Sequence, residues 1–301
     1  MNRLWSLAAA GAWIAGGALL LAQPEQISIP QPRKQFGASL TGAFEGWFPS
    51  PADNTIRTFL LGYFNRNTQQ ELDIPIGPNN RIEPGGPDMG QPTHFLPGRK
   101  YGMFAIPVPK DFTLQDKYTW TLFANGQYNT IPLRLNPDYV TSPFSEIAVG
   151  NTPPVVRFEQ DNAQDGAQDG APVQGPVAML AKAPTRATSV SQPLSLTLWI
   201  TDDMKYTSGT GAPRNPDRPP VTLLWSKYRG PGAVKFDKAN PKAEGAASEA
   251  QGFNGKATTN VTFSEPGDYV LHVTVNDFSG DGGGGFQCCW TTGLVKVSVK
   301  P

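Results

Sequence analysis

The sequence predicts an all-β chain, with two β-sandwich domains in tandem behind an N-terminal segment. Three observations carry that expectation. Beyond residue 22, apolar residues recur at every second position over short runs, and no stretch sustains a helical period. The runs are broken by Pro, Gly, Asn and Asp, and the 301 residues include 32 Gly and 30 Pro. Aromatic residues still make up 10% of the chain, which supplies the apolar bulk that disordered polymers lack.

Lysine plus arginine and aspartate plus glutamate both number 25, so the formal net charge is zero. That balance removes the electrostatic reason to expect a nucleic-acid partner or an anionic membrane surface. Residues 1–22 are expected to be a signal peptide. Arg3 gives a positive start, residues 4–22 are apolar apart from Ser6, and Ala22 precedes the polar Gln23-Pro24. An apolar run of about 19 residues can also just span a bilayer, so an uncleaved anchor stays open, and only then is a membrane a partner. No cysteine lies near residue 23 to take a lipid. The chain is expected to be exported, to the periplasm, the cell surface or the surrounding medium.

The first domain is expected over residues 36–151, with strands at 39–47, 58–65, 70–76, 100–108, 118–124 and 127–133. Asn125-Gly126 accepts the positive φ angles of a two-residue hairpin turn, so the last two strands pair around it. In that hairpin Trp120, Leu122 and Ala124 share one face, which makes Trp120 a core residue. Residues 77–99 hold Pro78, Pro84, Pro87, Pro92 and Pro97 among several glycines, which forbids a central strand there. So long a connection usually binds something or is disordered. It carries Arg81, Asp88, His94, Phe95 and Arg99, the candidate ligand-binding residues of this domain.

Residues 159–186 shift to Ala, Gln, Asp, Gly and Pro, with a fourfold-spaced repeat of Gln-Asp, and are expected to form a flexible linker. The second domain is expected over residues 191–301, with strands at 193–201, 221–227, 256–263, 268–276 and 294–299. Tyr269, Leu271, Val273 and Val275 alternate inward in the fourth of these, with His272 facing outward to solvent.

Two segments of this half then stand out. Trp225-Ser226-Lys227-Tyr228-Arg229-Gly230-Pro231-Gly232 and, later, Pro266-Gly267-Asp268-Tyr269-Val270-Leu271 followed by Val273-Thr274-Val275-Asn276-Asp277 resemble the landmarks of PKD-type immunoglobulin-like domains, in the same order. The physical roles agree: Trp225 would fill the sandwich centre, and Pro266-Gly267 would let the Tyr269 hydroxyl return to the backbone as a tyrosine corner. An insertion at 237–255 and a glycine-rich arm at 280–286 depart from the pattern. The first half resembles, more loosely, immunoglobulin-like domains of bacterial surface proteins through Trp120-Thr121-Leu122-Phe123-Ala124-Asn125-Gly126-Gln127. The whole chain also resembles a group of exported bacterial proteins, a likeness that implies no activity. The PKD resemblance implies contacts with protein or polysaccharide, or a spacer role.

Candidate chemistry is sparse. His94 and His272 are the only histidines, and neither sits in a nucleophile motif or beside a second histidine that would complete a metal site. Asp202, Asp203, Asn276, Asp277 and Asp281 fall at strand ends that could share one pole, where calcium would find hard oxygen ligands; the alternative is that they are turn residues. No other cofactor is expected. The adjacent Cys288 and Cys289 could form a vicinal ring, bond another chain, stay as thiols, or pack as small residues beside Trp290. The expectation is a non-enzymatic binding or structural module. The alternative is a polysaccharide-active or other hydrolytic protein with an unrecognised carboxylate site.

Overall fold

Two three-stranded antiparallel sheets face each other in the first half. One joins β1 (Leu40–Pro49), β2 (Arg57–Asn65) and β6 (Gly98–Val108). The other joins β4 (Asn80–Glu83), β7 (Tyr118–Ala124) and β8 (Gln127–Leu133), and the short β3 (Leu72–Asp73) and β5 (His94–Phe95) pair beside them. This computed structural model of the chain describes residues 34–50, 53, 55–146, 150–159, 168–205, 219–248, 250–277 and 288–301. The expected signal segment 1–22, most of the Gln-Asp repeat, the 280–286 arm and Asp281 lie outside the described residues.

Alternation builds the first core. Phe59, Leu61, Phe104 and Ile106 of one sheet meet Ile82, Trp120, Leu122 and Leu133 of the other. Trp120 is the centre of that layer: its ring meets Phe104 edge-on at 5.3 Å, and its indole N–H donates to Asn80 Oδ1 at 3.1 Å. The β7–β8 hairpin turns at Asn125 and Gly126, both with positive φ, as the dipeptide requires. The expected strand at 70–76 is reduced to β3. The proline-rich segment contributes β4, which pairs only with β7 and so forms a sheet edge, where proline neighbours are tolerated.

The second half is also a sandwich. β10 (Gln168–Gln174), β9 (Val155–Glu159), β12 (Leu194–Asp202), β16 (Gly252–Phe263) and β14 (Val234–Phe236) lie in that order, and β15 (Glu244–Ser248) pairs with β16. The facing sheet runs β11 (Thr185–Ser189), β18 (Trp290–Lys300), β17 (Gly267–Asn276) and β13 (Thr222–Arg229), with β11 parallel to β18 and the other pairs antiparallel. Trp225 is 2% exposed among Leu198, Ile200, Leu271, Val273 and Val297. The Tyr269 hydroxyl donates to the Glu265 carbonyl at 2.9 Å and accepts from the Gly232 N–H at 3.0 Å, so the expected tyrosine corner is present. Gly230 makes room for it: φ is +139°, and a Cβ there would lie 2.1 Å from the Tyr269 ring.

Two expectations are corrected. Residues 159–186 do not form a solvated linker over their described part. β10 extends one sheet, β11 extends the other, and Ala178 reaches the first core. Edge strands need backbone pairing more than apolar side chains, so their composition reads as linker. His272, expected on a solvent-facing side, is 2% exposed. The alternation of β17 holds, but its outer face is covered by the first sandwich. Tyr228, Val270 and Leu294 of that face belong to the same apolar cluster as Phe95, Met103 and Phe104. Residues 33–301 accordingly form one compact unit.

Candidate functional site

The proline-rich segment 77–99 was the expected ligand surface, and its five nominated residues divide among internal tasks. Asn80 pins the segment from within: its amide donates to the carbonyls of Ile74 at 3.0 Å and Pro92 at 2.7 Å. Asp88 forms a two-pronged ion pair with Arg229 of the second sandwich, both contacts at 2.9 Å, and these hydrogen bonds hold its carboxyl below the usual range. The same guanidinium donates to the Gln91 carbonyl, and the Tyr228 hydroxyl donates to the Gly90 carbonyl at 2.6 Å. Residues 88–94 thus lie along the seam between the sandwiches.

His94 is 7% exposed, with Nδ1 2.9 Å from Asp73 Oδ1 and Nε2 3.4 Å from Glu71 Oε2. Asp73 also meets Lys227 Nζ at 3.2 Å, which adds a second polar bridge across the seam. Phe95 is fully buried against Tyr63, their centroids 5.0 Å apart. Arg81 pairs with its neighbour Glu83 at 2.8 Å. Arg99 turns the other way, into the β1–β2–β6 sheet. The structure therefore does not gather these five into one ligand site.

At the Asn276 end of β17, two of the nominated acids bond adjacent residues of one short segment. Asp203 accepts from the Thr152 N–H at 3.2 Å and its hydroxyl at 2.9 Å, and Asp277 accepts from the adjacent Asn151 amide at 2.7 Å. Asp202 caps the turn through the Met204 N–H at 2.8 Å, which is turn chemistry, and Asn276 ends β17 opposite Trp290. Among the described residues, no group of three or more His, Cys, Asp or Glu is placed to hold a metal ion. Cys288 and Cys289 form a vicinal disulfide, buried beside Trp290, and their sulfurs lie 3.9 and 3.5 Å from the Asn151 carbonyl oxygen. Of the four possibilities for this pair, two coincide: the ring is closed, and it packs beside Trp290.

A polar cavity that no sequence motif marked lies on the first sandwich. It has a volume of about 340 Å³ and is lined by Phe44, Glu45, Gly46, Arg99 and residues 138–141. Two β-bulges make it. The β1–β2 register shifts between Phe44 and Gly46, and the β2–β6 register shifts between Leu61 and Tyr63. A bulge leaves its extra residue unpaired and re-aims it, here Glu45. The Glu45 side chain is 2% exposed; Oε1 accepts from Arg99 Nη2 at 2.6 Å and Oε2 from the Gly102 N–H at 2.8 Å. Burial pushes its carboxyl up from the usual range, against the pull of Arg99. Gly62 admits the carboxylate: a Cβ there would lie 2.2 Å from Glu45 Oε1.

The opposite wall is the single-turn 3-10 helix Pro137–Tyr139, held onto β1 by Trp47. Its indole N–H donates to the Asn136 carbonyl at 2.7 Å, and the Thr141 N–H donates to the Trp47 carbonyl at 2.9 Å. Tyr139 meets Phe44 edge-on at 6.0 Å and keeps 55% of its surface exposed. The signal for this site was the Glu45-Gly46 interruption of an otherwise alternating strand, since an isolated glycine in a strand suggests a bulge.

No protein-family model matches the chain, and no curated protein matches it. Among solved structures, dimeric latent PorU from Porphyromonas gingivalis is similar over 86% of this chain and 24% of that chain, at 11% identity and a TM-score of 0.25, so this chain spans about a quarter of its length. A protein of unknown function from Porphyromonas gingivalis W83 is similar over 87% of this chain and all of that chain, at 11% identity and a TM-score of 0.21.

Proposed function

We propose that the chain is an exported, non-enzymatic binding or structural module that works at the cell envelope or outside the cell and contacts protein or polysaccharide. The observation that carries this reading is the use of the polar residues of segment 77–99. Asp88 and His94 of that segment, the latter through Asp73 of β3, are spent on partners that join or brace two sandwiches, as a rigid spacer or scaffold requires. The parallel β11–β18 pair, the buried Trp225 and the Tyr269 corner support a PKD-type second domain. The apolar segment 1–22 supports export.

A hydrolytic reading is favoured by one observation, the buried Glu45 carboxyl lining a cavity with Asp138. One experiment separates the two. The protein without residues 1–22 is incubated with purified envelope polysaccharide and, in parallel, with envelope proteins under chemical crosslinking. Saturable retention, or one specific crosslink, without release of reducing sugar is expected. Release of sugar that Glu45→Gln abolishes would establish the hydrolytic reading instead.

A further inference from the structure

We infer that the cavity formed by Phe44, Glu45, Arg99, Asp138, Tyr139 and Thr141 is a binding site for one or two residues of a neutral, hydroxyl-rich glycan chain. This inference rests on the binding-module reading and names its ligand class. The volume falls at the lower end of the range for small-ligand sites. One wall is aromatic: Tyr139 is 55% exposed and is steadied by its edge-on contact with Phe44, and its exposed ring surface offers apolar area to the C–H groups of a sugar ring. The floor and rim are polar and supply mostly acceptors. Exposed Asp138 brings carboxylate oxygens and Thr141 a hydroxyl that can donate or accept, while the Glu45 carboxylate, already bonded to Arg99 and Gly102, lies in the floor behind them.

The charge pattern selects among ligands. Both Arg99 Nη atoms already donate within the protein, Nη2 to Glu45 and Nη1 to the carbonyls of Tyr63 and Lys100. The guanidinium therefore has little left to offer an anionic ligand, and exposed Asp138 repels one. The same guanidinium cancels the charge of Glu45, which removes the pull that a buried carboxylate would exert on a cation. What remains beside the aromatic wall is the exposed Asp138 carboxylate and the Thr141 hydroxyl, acceptors suited to sugar hydroxyls, and the pull of Asp138 on a cation is the reason for a cationic control. The site is also preorganised. Both bulges and the Trp47 clamp hold its two walls before any ligand arrives, which lowers the ordering cost of binding.

The test is isothermal titration of the protein without residues 1–22 against cellohexaose, chitohexaose and maltohexaose, with hexalysine and trigalacturonate as charged controls. Two variants accompany it, Tyr139→Ala and Asp138→Asn, chosen because both residues are exposed and their melting temperatures should match the parent. At least one neutral oligosaccharide is expected to bind. Tyr139→Ala should weaken it by about tenfold, as loss of an aromatic contact does, and Asp138→Asn by a smaller factor. Binding that both variants leave unchanged would overturn this site while leaving the binding-module reading intact. Binding of only hexalysine or only trigalacturonate would overturn the ligand class. If no probe binds and native envelope polysaccharide is retained equally by parent and variants, the site is again overturned. Failure to retain either polysaccharide or protein in the preceding experiment would overturn the module reading itself.

Discussion

The rings of Tyr228 and His272 stack 5.8 Å apart at 13° on the face of β17 that the first sandwich covers. His272 has no hydrogen-bond partner at Nε2, and it is held neutral there. Burial, and secondarily the positive charge of Lys100, lower its pKa from 6.5 to about 3.

Acid should therefore open this seam. The unfolded chain takes up the His272 proton near 6.5 and the folded one only near 3, so between those values the unfolded state binds more protons. The contribution is complete above the unfolded value and is lost as pH falls toward the folded one. Between about pH 7.5 and about pH 4.5, His272→Gln should lose about 3 kcal/mol less stability than the parent. Urea unfolding of both proteins at the two pH values measures this. Equal losses would show that His272 takes no part in acid sensitivity.

Apolar packing should outweigh the ion pair in holding the two sandwiches together. Tyr228→Ala removes a fully buried aromatic from the first core and should cost about 3–5 kcal/mol. Asp88→Ala breaks a pair whose acidic side chain is 45% exposed, and should cost about 1 kcal/mol or less. Calorimetry of the parent should show one transition, and Tyr228→Ala should split it into two. A larger effect from Asp88→Ala would reverse the ranking.

Tyr269→Phe tests the corner. It keeps the ring against Phe263 and removes a hydroxyl that serves Glu265 and Gly232. The loss should be about 1–3 kcal/mol, because the buried Gly232 N–H is left without its acceptor. Chemical denaturation checks it, and an unchanged midpoint would mean the hydroxyl contributes nothing.

Gly62→Ala tests the double bulge. The added Cβ would lie 2.2 Å from both Glu45 Oε1 and the Lys100 carbonyl oxygen. Neither can yield without breaking the Glu45–Arg99 pair or the β2–β6 register, so a loss of about 3 kcal/mol or more is expected. Substitution at Gly126, with open space around its Cβ, should cost less, about 1 kcal/mol from its positive φ alone. Similar melting temperatures for the two variants would remove the steric argument.

Much of the fold was legible in the residues themselves. Short apolar runs bounded by turn residues located β1, β2, β6, β7, β8, β12, β13, β16, β17 and β18. Half-buried β12 and β16 write their environment into every second side chain, whereas β2 and β6 are buried on both faces over much of their length. Asn125-Gly126 set one hairpin and Pro266-Gly267 set the Tyr269 corner, both through local backbone preference. Trp225 was recognisable as core through the PKD-type landmark it opens, and it is 2% exposed. What only the tertiary structure decided depends on distant partners. β10 and β11 are edge strands of polar composition, stabilised by pairing with β9 and β18 rather than by their own pattern. His272 lies on the outer face of its sheet, and a strand cannot reveal whether solvent or a second sandwich covers that face. Glu45, Arg99 and Tyr139 lie 54 and 40 residues from one another along the chain, and two register shifts bring them to one cavity. Alternation records burial at each residue, but it holds no record of which remote surface provides it.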